Sequence, residues 1–246
     1  MIRRIAVAAA LLAALCACSS PKGVDSAAAA DPYTCIAPRL PAAPTATRDR
    51  VAVIGDSYTG GSPQGGNGDK RWTSVAGAQL QGMGFDVVMK VGAEGGSGYV
   101  AHGRRTGEVF ADKIPTTLSP GDHVVVVFGS INDSHGTPGQ MAHATCDTLR
   151  DAEVAAPAAH LLVIGPPWVR NSPPPAYILR TRDILRTRSE ELGATFVDPI
   201  ADRWFADRPD LIGADGVHPT DAGHEYMAQK IAPVIAQLLM SPPAVH

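Results

Sequence analysis

The residues best suited to chemistry in this chain are one serine, one histidine and one aspartate. Ser57 ends a Gly-Asp-Ser sequence that directly follows the apolar run Val51–Ile54, while Asp215 and His218 lie three residues apart near the C-terminus. A serine hydroxyl becomes a nucleophile when an imidazole takes its proton and a carboxylate orients that imidazole. These residue types therefore predict acyl transfer at Ser57, although Ser57 taken alone could equally cap a helix.

The same chemistry needs hydrogen-bond donors for the oxyanion that forms during attack. The backbone N–H of Ser57, a glycine N–H from the pair Gly95-Gly96, and the side-chain amide of Asn132 are candidates. Glycine suits such a loop because it lets the backbone approach the reacting centre and adopt positive φ.

Alternating apolar runs and helical patterns must position these residues. Strands are predicted at residues 51–54, 85–91, 123–128, 161–164 and 194–197, and helices at residues 72–80, 140–155, 178–192 and after Thr220. Strands separated by helices indicate a parallel, doubly wound α/β sheet, and near-continuous apolar strands are typical of sheets covered on both faces. The polar clusters then meet at one edge of the sheet, where such folds bind ligands.

Four short sequences, in order along residues 51–239, resemble the SGNH or GDSL-type hydrolase family: Gly-Asp-Ser at Ser57, the glycine-rich loop, Gly-x-x-Asn at Asn132, and Asp-x-x-His at His218. The resemblance implies a flavodoxin-like three-layer α/β/α sandwich with a parallel sheet of about five strands. It also implies hydrolysis of esters or thioesters without metal or cofactor. The implied roles are nucleophile for Ser57, base for His218, orienting acid for Asp215 and oxyanion donor for Asn132. The family's oxyanion glycine falls on Gly95 or Gly96, and the resemblance favours Gly96 because family members often have a small polar residue after this glycine, as Ser97 is here. The asparagine that often precedes the family's glycine loop is absent here.

Three aromatic residues are candidates for lining the substrate crevice. Tyr58 follows the serine, Tyr99 follows the glycine-rich loop, and Trp168 lies in a proline-rich loop at residues 165–175. Ordinary core packing is the alternative for each of them.

The N-terminus predicts export. Residues 1–17 combine two arginines with a short apolar stretch, as in a signal peptide, and they are too short to span a bilayer. The Leu-Cys-Ala-Cys sequence that ends at Cys18 resembles the lipobox of bacterial lipoproteins, which predicts a lipid anchor at Cys18 on the outer face of the membrane. Ordinary secretion is the alternative.

The two remaining cysteines, Cys35 and Cys146, predict a disulfide in an oxidising compartment, with two separate buried thiols as the alternative. The predicted organisation is a signal peptide (1–17), an Ala/Pro-rich linker (18–48), one hydrolase domain (49–241) and a short tail (242–246).

The partners of the chain follow from its charge and its predicted chemistry. The net charge of −3 becomes about −5 without the signal peptide, which disfavours a nucleic-acid partner. We expect a monomer that binds an acyl ester of an envelope lipid or glycan. Two alternatives remain open from sequence: an acyltransferase to glycan hydroxyls, and a glycan-binding lipoprotein without turnover.

Overall fold

The computed structural model describes residues 34–36, 48–170 and 172–242. The predicted signal peptide, the Cys18 lipobox and nearly all of the predicted linker and tail lie outside these residues. No helix within them is both long and apolar enough to cross a membrane.

Five parallel strands form one sheet in the order β2-β1-β3-β4-β5, which is the doubly wound order of flavodoxin-like proteins. The strands are β1 (Asp49–Gly55), β2 (Val87–Ala93), β3 (Val124–Phe128), β4 (His160–Ile164) and β5 (Thr195–Val197). The predicted fold class, an α/β sandwich with a parallel five-stranded sheet, is confirmed.

Within the described residues, six α-helices cover or connect the strands. They are α1 (Ser57–Gly60), α2 (Trp72–Gly82), α3 (Ile114–Thr117), α4 (Pro138–Ala155), α5 (Ala176–Glu191) and α6 (Asp221–Leu239). The four longer helices match the predicted ones to within two residues at each end. The two short helices, α1 and α3, carry too few residues for a periodic signal and were not predicted.

Alternate residues of each strand supply two cores, one on each face of the sheet. Val51 and Val53 of β1 pack in the core that holds α2 and α6, while Ala52 and Ile54 pack in the core that holds α4 and α5. Because both faces are buried there, residues 51–54 of β1 and all of β3 are apolar at every position, which explains why they form continuous apolar runs in the sequence.

The predicted Cys35–Cys146 disulfide is present. It joins the segment before β1 to α4 across a sequence separation of 111, with the two Cα atoms 5.5 Å apart, and both cysteines are buried. The backbone N–H of Cys35 also donates to Glu191 at the end of α5, at 3.3 Å. The disulfide therefore holds the N-terminal segment against the face of the sheet that α4 and α5 cover.

Candidate active site

Ser57 lies where β1 ends and the one-turn helix α1 begins. Asp56 caps this helix: its Oδ1 accepts from the N–H of Tyr58 at 2.8 Å, and its carbonyl accepts from the N–H of Thr59 at 3.0 Å. The turn requires glycine at position 55, because a Cβ there would lie 2.2 Å from the Thr59 hydroxyl. The sharp turn places Ser57 at the carboxyl edge of the sheet, where its side chain faces a cavity.

His218 reaches Ser57 from 161 residues away in sequence. Its Nε2 lies 3.1 Å from the Ser57 Oγ, and its Nδ1 lies 2.6 Å from the Asp215 Oδ2. With the proton on Nδ1 donated to Asp215, Nε2 is free to accept the Ser57 hydroxyl proton. The three side chains thus form a continuous chain of hydrogen bonds that can activate a serine.

A compact turn holds Asp215 beside His218. The Oδ1 of Asp215 accepts from the backbone N–H groups of Val217 and His218, each at 2.9 Å. Partial burial raises the Asp215 pKa, but the hydrogen bonds from His218 and these two amides outweigh it and hold the pKa at about 2. Asp215 is therefore an anion at neutral pH and can stabilise a positive charge on the imidazole.

Candidate donors for an oxyanion surround Ser57. Ser57, Gly95, Gly96 and Asn132 all line one cavity of about 180 Å³ together with His218. Within the described residues, neither the Gly95 nor the Gly96 N–H donates to a backbone carbonyl, so both are available to a ligand. A Cβ on Gly95 would lie 3.8 Å from the Ser57 Cβ, and a Cβ on Gly96 would lie 2.8 Å from the Arg104 Cγ, so side chains on either glycine would contact residues of this cavity.

The amide of Asn132 is fixed by two acceptors. Its Nδ2 donates to the Asp56 Oδ2 at 3.0 Å and to the Ser97 carbonyl at 2.9 Å. Both amide hydrogens are engaged, so donation to an oxyanion requires Asn132 to share or exchange one of these bonds. Burial raises the pKa of Asp56 to about 7, against the lowering effect of its hydrogen bond from the Tyr58 backbone.

Two of the three aromatic residues predicted to line the crevice belong to the core. Tyr58 is 1% exposed, packs edge-on against Phe128 and donates its hydroxyl to the Val217 carbonyl. Tyr99 is 2% exposed and packs edge-on against Phe110. The prediction that Tyr58 and Tyr99 contact substrate is wrong, because the strand ends turn their rings inward beneath the polar edge.

Trp168 lies at a different depression of the surface. It lines a cavity of about 330 Å³ with Arg170 and Pro173, and its Nε1 donates to the Ser172 carbonyl at 2.6 Å. Neither Ser57 nor His218 is among the described residues of that cavity. The predicted role of Trp168 at the catalytic crevice is therefore also wrong: its proline-rich loop closes on itself rather than over the serine.

A larger cleft of about 570 Å³ adjoins the catalytic cavity. The two share Gly96, Arg104, Ile131 and Asn132, and the cleft extends along residues 100–104 and 133–136. Sequence reasoning missed Arg104 and its support, Glu94. The available signal for Glu94 was a single acid inside the glycine-rich loop, which is costly there unless it is paired.

No group of three or more histidine, cysteine, aspartate or glutamate side chains in the described ranges is arranged to hold a metal ion. The polar lining of the catalytic cavity consists of the Ser57 and Ser62 hydroxyls, one imidazole, backbone amides, one carboxamide and one guanidinium.

Residues 53–226 match the family model described as the GDSL-like lipase/acylhydrolase family. The chain belongs to this family. A GDSL-like hydrolase relative, "GDSL lipase Rv0518" of Mycobacterium tuberculosis, is 49% identical over 193 residues, which cover 77% of this chain and 83% of the relative. The chain is thus a GDSL-type serine ester hydrolase.

Solved structures share the fold of this GDSL-type hydrolase at low sequence identity. A lipase/acylhydrolase from Enterococcus faecalis has a TM-score of 0.62 at 15% identity, covering 80% of this chain and 98% of the other. A carbohydrate esterase family 2 enzyme with a carbohydrate-binding domain, from Corynascus thermopiles, has a TM-score of 0.61 at 21% identity, covering 81% and 69%. At these identities the similarity concerns the fold alone.

Proposed function

We propose that this hydrolase cleaves carboxylic ester bonds through an acyl-enzyme on Ser57. The supporting observation is a pair of hydrogen bonds through one imidazole. The Ser57 Oγ lies 3.1 Å from the His218 Nε2, and the His218 Nδ1 lies 2.6 Å from the Asp215 Oδ2. Both lie within the reach that proton transfer requires. Ser57 and His218 line the same cavity, and Asp215 is hydrogen-bonded to the far side of the imidazole.

The chemistry proceeds in two steps. In the first, Ser57 Oγ bonds to the ester carbonyl carbon, His218 takes the hydroxyl proton, and the alcohol leaves with that proton as its C–O bond breaks. In the second, water attacks the acyl-enzyme, gives its proton to His218, and releases the acid as the Ser57 proton is restored. The amides of Ser57, Gly95 or Gly96 and the carboxamide of Asn132 face the oxyanion in both steps.

We assign the substrate to the acylated lipids or glycans of the cell envelope. The predicted export segment and Cys18 lipobox would keep the domain at the outer face of the membrane, where such esters are found. A GDSL lipase relative and a structurally similar carbohydrate esterase support these two substrate classes. A Cys18→Ser variant is expected to lose incorporation of a palmitate analogue while Cys16→Ser keeps it; incorporation into both variants would contradict the anchor.

The nucleophile is tested with a pair of serine variants in one cavity. Ser57→Ala is expected to lose fluorophosphonate labelling and to lower kcat by about 10⁴-fold or more, because no other group can form the acyl-enzyme. Ser62→Ala is the control, since Ser62 lines the same cavity and is also largely buried. Labelling and turnover that persist in Ser57→Ala would place the nucleophile elsewhere.

A further inference from the structure

Arg104 is a cation placed against the catalytic loop. Its side chain lines both the catalytic cavity and the adjoining 570 Å³ cleft, and its Cγ would lie 2.8 Å from a Cβ on Gly96. The guanidinium forms no ion pair or side-chain hydrogen bond with any residue in the ranges 34–36, 48–170 and 172–242. A charged side chain with five donors therefore lies free at the junction of the two cavities.

The backbone around Arg104 is rigidly supported. The N–H of Arg104 donates to the Gly95 carbonyl at 3.1 Å. The buried carboxylate of Glu94 accepts from the N–H groups of Arg105 and Thr106, at 2.5 and 2.7 Å, and forms a buried ion pair with Lys113 at 3.3 Å. Hydrogen bonds from Thr106 and Lys113 hold the Glu94 pKa at about 2 against burial. Glu94 is thus a permanent anion that fixes the turn carrying Arg104.

The cleft beside Arg104 favours an anion. Its described lining includes two further nitrogen-bearing rings, His102 and His135, and one carboxylate, Asp133. The oxygens of Asp133 accept three backbone N–H groups, from residues 99, 100 and 101, at 2.8–3.1 Å, and the side chain is 2% exposed. Its negative charge is directed into that turn, so it does not neutralise Arg104.

The position of the cleft indicates which part of the ester enters it. The leaving alcohol oxygen must accept a proton from His218, so the alcohol portion lies on the side of the cavity that His218 and Val217 form. The described lining of the 570 Å³ cleft contains neither of these residues but includes Gly96 and Asn132, the candidate oxyanion donors that it shares with the catalytic cavity. The acyl portion therefore extends toward this cleft and past Arg104.

We propose that Arg104 selects esters whose acyl group carries a carboxylate, that is, half-esters of dicarboxylic acids, by pairing its guanidinium with that carboxylate. The inference rests on the proposed serine mechanism and adds the class of acyl group to it. Guanidinium groups bind carboxylates through two parallel hydrogen bonds, which gives orientation as well as affinity. The reaction balances as hydrolysis: the half-ester anion and water give the dicarboxylate, the alcohol and one proton, which passes to solvent.

The test compares p-nitrophenyl half-esters of succinate, glutarate and adipate with the neutral butyrate, valerate and hexanoate esters. Arg104→Gln is expected to lower kcat/KM for the best half-ester about tenfold or more, the usual effect of a charge-assisted hydrogen bond, and to change the matched neutral ester less than about twofold. Arg105→Gln is the control, because Arg105 is equally exposed but lines neither cavity. Equal effects of the two variants on the half-ester would overturn the proposal.

A binding measurement separates this inference from the catalytic one. In the Ser57→Ala background, monoethyl adipate is expected to bind about tenfold more weakly when Arg104→Gln is added, and unchanged with Arg105→Gln. If Ser57→Ala still turned over ester, the proposed mechanism would fail, but this binding difference would still support the carboxylate site. If Arg104→Gln left the affinity for monoethyl adipate unchanged, the proposed carboxylate site would be refuted, even if Ser57 were confirmed as the nucleophile.

Discussion

The Nδ2 of Asn132 donates to the carboxylate of Asp56 at 3.0 Å, which joins the end of β3 to the end of β1 directly beside Ser57. Asp56 is almost fully buried, and its other oxygen caps the helix that begins at Ser57. One carboxylate therefore fixes both the turn of the nucleophile and the amide predicted to face the oxyanion.

Asp56→Asn is expected to lower kcat about ten- to hundredfold with KM little changed, because an amide cannot accept from both the Tyr58 N–H and the Asn132 Nδ2, and a buried donor left unpaired costs about 1–3 kcal/mol. Asp49→Asn, at the opposite end of the same strand, is the control. Steady-state kinetics on a neutral p-nitrophenyl ester measure both. A rise in KM at constant kcat would show that Asp56 acts on substrate binding instead.

We expect the free energy of unfolding to depend on pH through the titration of the Asp56 carboxyl group. Burial raises its pKa from 3.8 to about 7, so between about pH 4 and pH 7 the folded protein holds a proton that the unfolded chain has lost. Raising the pH through this window therefore destabilises the wild type relative to Asp56→Asn. Urea unfolding of both proteins at pH 4.5 and pH 7.5 measures the change. If the unfolding free energies of wild type and Asp56→Asn differed by the same amount at pH 4.5 and pH 7.5, the raised pKa of the buried Asp56 would be contradicted.

Asp215→Asn is expected to lower kcat by about 10³–10⁴-fold at pH 7–8, since a neutral amide can leave the imidazole in the wrong tautomer and cannot stabilise its positive charge. Because the Asp215 pKa is about 2, the wild-type side chain is fully ionised under these conditions. Asp210→Asn provides the comparison, as Asp210 is an exposed acid nearby that pairs with Arg208 at 2.7 Å. A similarly small loss of kcat in both variants would show that Asp215 does not take part in activating the serine.

Reduction of the Cys35–Cys146 disulfide is expected to lower the free energy of unfolding by about 2–5 kcal/mol, because it releases a loop of over a hundred residues in the unfolded chain. The kcat is expected to stay within about twofold, since the disulfide is anchored on α4 and not on the catalytic turn. Urea unfolding with and without dithiothreitol gives the measurement, and the Cys35→Ser/Cys146→Ser double variant should be insensitive to the reductant. An unchanged wild-type midpoint would contradict a stabilising role.

The three central strands β1, β3 and β4 were predictable because their apolar runs reflect burial on both faces of the sheet, which is a local property of the sequence. The residues at which the strands begin and end were harder to predict. The second strand was predicted from Phe85 but begins at Val87, which pairs with Asp49 at the start of β1. Phe85 instead donates its N–H to Leu80 and closes the end of α2. The limits of a strand depend on its partner, and no local pattern contains that information.

The order and chemical types of Ser57, Asn132, Asp215 and His218 could be predicted from sequence alone, because Ser57 and Asn132 follow strands and Asp215 and His218 lie in the turn before the last helix. Whether the Tyr58 and Tyr99 rings face the crevice or the core could not be predicted from sequence. A ring beside a strand end can turn either way, and its orientation depends on packing against Phe128 or Phe110.

The sequence by itself determined the kinds of reactive group, their order and the sheet that carries them. Only the tertiary structure decided that His218 lies 3.1 Å from a serine 161 residues earlier, and that Arg104 stands unpaired beside the same cavity. The physical reason is that reactive types and strand signals are encoded locally. The distances between them are set by long-range register, by the buried Glu94–Lys113 pair and by packing across the sheet.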